Sequence, residues 1–181
     1  MNLLQDLQEF LKYPELQKIN ATTGLPENER FYDIVCQSVL IIFLTGLYEA
    51  TRSKEAAESI QKQQNVKGLL DKIFKNKAAA LTDIAEFTKK SEKYINTKLE
   101  EIAGGYLQVI QQSKYAAAFK KEKFLEDLLS NERHKILPCL PPGLKTGKLF
   151  NDETIDDNTN KMQGPVSSLM NKIEDVFSKD D

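Results

Sequence analysis

Apolar positions in this chain recur at three- and four-residue spacing along most of its length, and no run alternates with period two between turn residues. Leu3, Leu4, Leu7, Phe10 and Leu11 make the first stripe, the signature of an amphipathic helix. Pro14 disfavours a helical residue before it, so this helix should stop near Tyr13. A short turn through Leu16 and Ile19 is expected next. Gly24 suits its end, and Pro26 suits the first turn of the following helix.

That following helix, Phe31 to Tyr48, is the densest apolar stretch. Ile34, Val35, Val39, Leu40, Ile41, Ile42, Phe43, Leu44 and Leu47 cover nearly its whole circumference. A helix apolar all round lies in a core or spans a membrane. The apolar run from Ile34 to Leu47 is 14 residues long and closes on Asp33 and Glu49. A span needs about 20, so the stretch reads as a core helix around which the rest is organised.

Further apolar faces follow. Ala56, Ala57 and Ile60 precede a polar run from Gln61 to Asn65, and Leu69, Leu70, Ile73 and Phe74 form another short face. Ala78 to Phe87 reads as helix. Tyr94, Ile95, Leu99, Ile102, Tyr106 and Ile110 predict a long helix, and Phe119, Phe124, Leu125, Leu128 and Leu129 predict the next. Phe43 to Tyr48 weakly echoes Ile102 to Leu107, and each is followed by a Leu-Leu pair, Leu69-Leu70 and Leu128-Leu129. Two related helical halves packed together are one explanation.

From Phe150 the composition changes. Residues 150–164 are acidic and polar, the composition of a flexible linker. Residues 165–178 then place Val166, Leu169, Met170, Ile173, Val176 and Phe177 on one helical stripe. An amphipathic helix on a tether docks on its own domain or reaches a partner. Leu169, Met170, Ile173 and Phe177 are the candidate partner contacts.

Net charge is −2 over 181 residues, which carries no global nucleic-acid signature. The distribution is uneven, however. Residues 62–123 hold 13 Lys against 7 acidic residues, whereas residues 150–181 hold 8 acidic against 3 basic. Lys89, Lys90, Lys93, Lys120, Lys121 and Lys123 form a candidate basic patch, with Tyr94, Tyr106, Tyr115 and Phe119 nearby as stacking surfaces. Met1 to Asp6 offers no basic region ahead of an apolar one, so no secretory signal is expected. With the two scattered cysteines, Cys36 and Cys139, this favours a reducing, cytoplasmic setting.

Candidate chemistry is sparse. Gly143 to Leu149 glances at a phosphate loop, but only three residues separate its glycines, and Leu149 stands where Ser or Thr is needed. Asp156, Asn158 and Asn160 open like a calcium loop, yet Lys161 and Ser167 occupy the positions of the required Gly and Glu. His134 and Cys139, the only local base and thiol, are separated by Pro138 and lack an orienting carboxylate or amide. The adjacent pairs Glu100-Glu101 and Glu126-Asp127 point in different directions from a helix and read as solvated faces. No cofactor or metal ligand set emerges, and a non-enzymatic role is expected.

One stretch resembles a known family. Phe124 to Leu144 runs through Leu128-Leu129, Ser130-Asn131, Ile136 and the ending Leu140-Pro141-Pro142-Gly143-Leu144. It resembles the bacterial domain of unknown function 937, the YidB-like helical proteins, over roughly residues 1–150. The resemblance implies an all-helical fold with no established activity and supplies no catalytic residue.

The expected architecture is therefore all-α. A helical bundle over residues 1–149 is followed by the acidic linker 150–164 and an amphipathic helix over 165–178. The function expected is protein–protein interaction or self-association with no membrane span. Nucleic-acid binding through the lysine-rich middle is the alternative.

Overall fold

The computed structural model describes residues 1–20, 23, 25–116, 118, 123–141 and 143–144. Across them the fold is an all-α bundle: α1 (Leu3–Leu11), α2 (Ile34–Ala50), α3 (Lys54–Gln61), α4 (Val66–Ile73), α5 (Lys77–Thr88), α6 (Glu92–Ile110), α7 (Ser113–Ala116) and α8 (Phe124–Ile136). Short 3-10 turns span Glu29–Phe31 and Leu137–Cys139. The linker, the C-terminal stripe with Leu169, Met170, Ile173 and Phe177, and Lys120 and Lys121 lie outside the described residues.

Side-chain caps set most helix starts. Asn2, Asp33, Ser53, Asn65, Asn76 and Ser91 each accept a backbone N–H from the first turn that follows. Each such cap contributes about 1 kcal/mol. Asp33 accepts from both Val35 and Cys36 at 2.9 Å, which is why α2 begins at Ile34 rather than Phe31.

α2 is the centre of the bundle. Every residue from Gln37 to Leu47 is buried, so the apolar circumference is matched by neighbours on all sides. α6 packs along it, with the Phe43 and Tyr106 rings edge to face at 5.8 Å between centroids. The two segments that echo one another in sequence thus meet in the core. α1 lies across α6 at Gly105, where a β-carbon would come within 2.9 Å of the Leu11 side chain. No helix among the described residues is long and apolar enough to cross a membrane.

The segment between α1 and α2 differs from the sequence expectation. Leu16 to Ile19 forms no helix, and Ile19 pairs with Pro26 in an isolated antiparallel bridge. Pro26 therefore opens no helix. The reason lies in α2. The Gln37 amide accepts the Gln17 N–H at 2.8 Å and donates to the carbonyls of Gln17 (2.8 Å) and Cys139 (2.6 Å). It behaves as a peptide group on a side chain, holding two loops to the core helix. The Ile19 N–H donates to the Pro138 carbonyl at 2.9 Å and ties the same loops together.

α8 ends at Ile136, two residues ahead of Pro138. Pro138 falls in the 3-10 turn, and Gly143 takes φ of +90°. Leu140 and Leu144 return to the core.

Candidate functional site

Two features of the folded chain merit comparison as sites: a buried polar cluster at the start of α1, and a groove between α2 and α8.

The cluster is built on Glu132 of α8, which is only 3% exposed. Its carboxylate accepts the backbone N–H of Leu3 at 2.5 Å and of Leu4 at 3.0 Å. These are first-turn donors that α1 itself cannot satisfy. Burial pushes the Glu132 carboxyl above its usual range, against the pull of the two N–H bonds. Beside it the Tyr115 hydroxyl donates to Asp6 in the first turn of α1. Burial, with Asp6, raises the Tyr115 pKa. Two carboxylates and a phenol thus converge, but the Glu132 oxygens are taken by backbone donors and have no open approach. The arrangement clasps α1 to α8 and leaves little room for a substrate. Glu132 was not singled out in the sequence, although the spacing of Leu125, Leu129, Glu132 and Ile136 places it on the apolar face.

The groove is different in kind. α2 supplies Leu44, Thr45, Tyr48 and Glu49, and α8 supplies Leu129, Arg133 and Ile136. Leu137 closes one end, and the depression is shallow and open to solvent. Its floor is aliphatic, with Leu44 and Leu129 buried beneath it. Its rim is charged. The Arg133 guanidinium sits 5.6 Å from the Tyr48 ring centroid, and Arg52 pairs with Glu49 at 3.0 Å. An apolar floor with a Tyr and an Arg at the edge suits the apolar side chains of a helix better than a polar small molecule.

The sequence candidates are dispersed. Lys89, Lys90 and Lys93 are exposed together around the α5–α6 turn, next to Tyr94, which is 44% exposed. Lys123 is exposed at the start of α8. Tyr106 and Tyr115 are fully buried and offer no face for stacking.

His134 is exposed, whereas Cys139 is buried with its thiol directed at the Lys135 carbonyl at 3.4 Å. Burial pushes the Cys139 thiol up to about 11 and the Cys36 thiol up to about 12, so both are protonated at neutral pH. Both are free cysteines. Glu100, Glu101 and Asp127 are exposed. Among the described residues, no group of three or more His, Cys, Asp or Glu is placed to hold a metal ion.

No protein family, curated protein or solved structure matches this chain.

Proposed function

We propose that this chain is a non-enzymatic helical interaction module whose groove between α2 and α8 receives an amphipathic helix. Leu169, Met170, Ile173 and Phe177 are the contact residues on the segment that enters it. Kinship with the YidB-like helical proteins belongs to the same proposal. The groove carries the reading: an apolar channel about one turn long on α2 and two turns long on α8, rimmed by Tyr48 and Arg133. Anchors at i and i+4, such as Ile173 and Phe177, match that length.

The test uses the full chain with its own stripe disabled by Leu169→Asp, Ile173→Asp and Phe177→Asp. A fluorescently labelled peptide of residues 164–181 is titrated against it. Saturable binding that is lost on adding Tyr48→Asp supports the reading. Absence of binding to a folded protein defeats it.

A second reading rests on the α5–α6 corner, where exposed Tyr94 adjoins Lys89, Lys90 and Lys93. It assigns the chain to single-stranded nucleic acid. Affinity for an oligonucleotide should then fall steeply between low and moderate salt.

A further inference from the structure

Building on the groove reading, we infer that in the unaltered chain the groove is filled in cis by the chain's own residues 165–178, so that an outside helix must displace them. Three observations converge on this occupant.

Reach comes first. Leu137 forms a wall of the groove, and the described chain runs on only to Leu144. Seven residues span at most about 25 Å, so the chain is still close to the groove there. Residues 145–165 separate Leu144 from Val166. A flexible linker of that length has an r.m.s. span of roughly 25 Å. The linker is therefore long enough to reach the groove, and a tether of this length gives an effective concentration of about millimolar. At micromolar protein, docking in cis exceeds docking onto a second copy by a factor of about a thousand.

Charge comes second. Arg133 lines the groove, and the same last turn of α8 also carries His134 and Lys135. On the groove rim Glu49 is offset by Arg52. Glu174 and Asp175 directly follow Ile173 and outweigh Lys172, so residues 165–178 carry a balance of −1. A basic helix end beside the groove favours an acidic amphipathic helix over a basic one.

The third is the scarcity of competing surfaces. Outside the groove, the large apolar side chains exposed among the described residues are Met1, Phe10, Leu25, Ile34 and Tyr94. They are distributed over the N-terminus, α1, the following loop and the starts of α2 and α6. Single exposed apolar residues of this kind are ordinary surface, whereas the groove is concave and continuous.

The experiment is fluorescence of the full chain carrying Phe177→Trp. The chain has no Trp of its own, so the emission reports the stripe alone. Under the proposal, emission is blue-shifted relative to the urea-unfolded chain, is unchanged on hundredfold dilution, and comes from a monomer by light scattering. It shifts to the red when Tyr48→Asp or Leu137→Asp is added on the half-exposed walls, with helical content retained. If either wall variant unfolds, Leu169→Asp with Ile173→Asp supplies the same test from the tail side and must also shift emission to the red.

A blue shift that appears only on concentration assigns the groove to a second copy. The cis proposal then falls while the interaction reading stands. Emission like that of the unfolded chain at every concentration, with the peptide still bound by the disabled chain, also removes the cis proposal alone. The same emission with no peptide binding removes both. A blue shift that survives the wall variants places the stripe elsewhere and overturns the proposal.

Discussion

Glu132 and Leu3 lie 129 positions apart in the chain and 2.5 Å apart in the fold, where the Glu132 carboxylate accepts the Leu3 backbone N–H. With the parallel bond from Leu4, a side chain of α8 caps the first turn of α1 from outside. Glu132→Ala leaves both donors buried without a partner. The expected cost is about 2–4 kcal/mol, read as a lower urea midpoint with unchanged slope. Glu132→Gln should cost less, because its oxygen still accepts one N–H while its NH2 group opposes the other. Equal stability of the alanine variant and the parent would remove the clasp from the account.

The same carboxyl gives a pH dependence whose sign is fixed by burial. Burial holds the folded-state pKa of Glu132 above its ordinary value; Asp6 adds to the rise, while Lys135 and the Leu3 and Leu4 N–H groups oppose it. The folded state therefore binds this proton more tightly than the unfolded chain. The stabilisation from protonation is fully present below the ordinary glutamate range and is lost as pH rises through the folded value. The stability difference between parent and Glu132→Gln should accordingly shrink from pH 4 to pH 7. A difference that widens over that range means the two N–H bonds outweigh burial.

Gly104 and Gly105 are neighbours with opposite requirements. A β-carbon at Gly104 meets only Val66, at 3.8 Å. At Gly105 it meets Leu11 at 2.9 Å and Leu7 at 3.3 Å, where α1 crosses α6. Alanine gains about 1 kcal/mol of helix propensity at either position. Overpacking costs about 1–3 kcal/mol where there is no room. Gly104→Ala should thus raise the melting temperature and Gly105→Ala should lower it. The same sign at both positions would contradict the close crossing.

Tyr106 contributes a ring to the core and a hydroxyl that finds no hydrogen-bond partner among the described residues. Burial alone pushes its pKa up. Tyr106→Phe keeps the edge-to-face contact with Phe43 and removes a buried polar atom, so it should stabilise the protein by about 1 kcal/mol. Tyr106→Leu loses the ring pair as well and should fall below Tyr106→Phe by roughly 0.5–1.5 kcal/mol from that term alone. A melting temperature for Tyr106→Phe below the parent's would imply a partner for the hydroxyl.

These residues mark how far the sequence could be read. The core helix was legible because the apolar run around Leu40 is too continuous for a surface helix and too short for a membrane span. The long helix through Leu99 and Tyr106 was legible from spacing. Gln37 and Glu132 were not. Each is a polar residue at an apolar position, and what it holds lies far away in the chain: Gln17 and Cys139 for one, Leu3 and Leu4 for the other. Local pattern assigns such residues to interruptions or solvated faces. Only the tertiary structure supplies the backbone groups they satisfy. The groove escaped for the same reason, since Tyr48 and Arg133 come from helices 85 positions apart.

Lys12 and Lys89 end α1 and α5 in the left-handed region, at φ of 55° and 57°. The following N–H in each case returns to the helix, from Tyr13 to the Gln8 carbonyl and from Lys90 to the Ala85 carbonyl. Glycine is favoured where a helix ends this way, because a β-carbon crowds the backbone there. The conformational cost to lysine is about 1–2 kcal/mol, partly offset by the greater freedom glycine gives the unfolded chain. Lys12→Gly and Lys89→Gly should therefore each stabilise the fold by about 0.5–1 kcal/mol, additively, since they close different helices. Lys89 also belongs to the exposed basic corner with Lys90 and Lys93. If that corner binds an oligonucleotide, Lys89→Gly should raise the melting temperature and weaken binding together, whereas Lys12→Gly should raise the melting temperature alone. Destabilisation by both glycines would refute the left-handed helix ends.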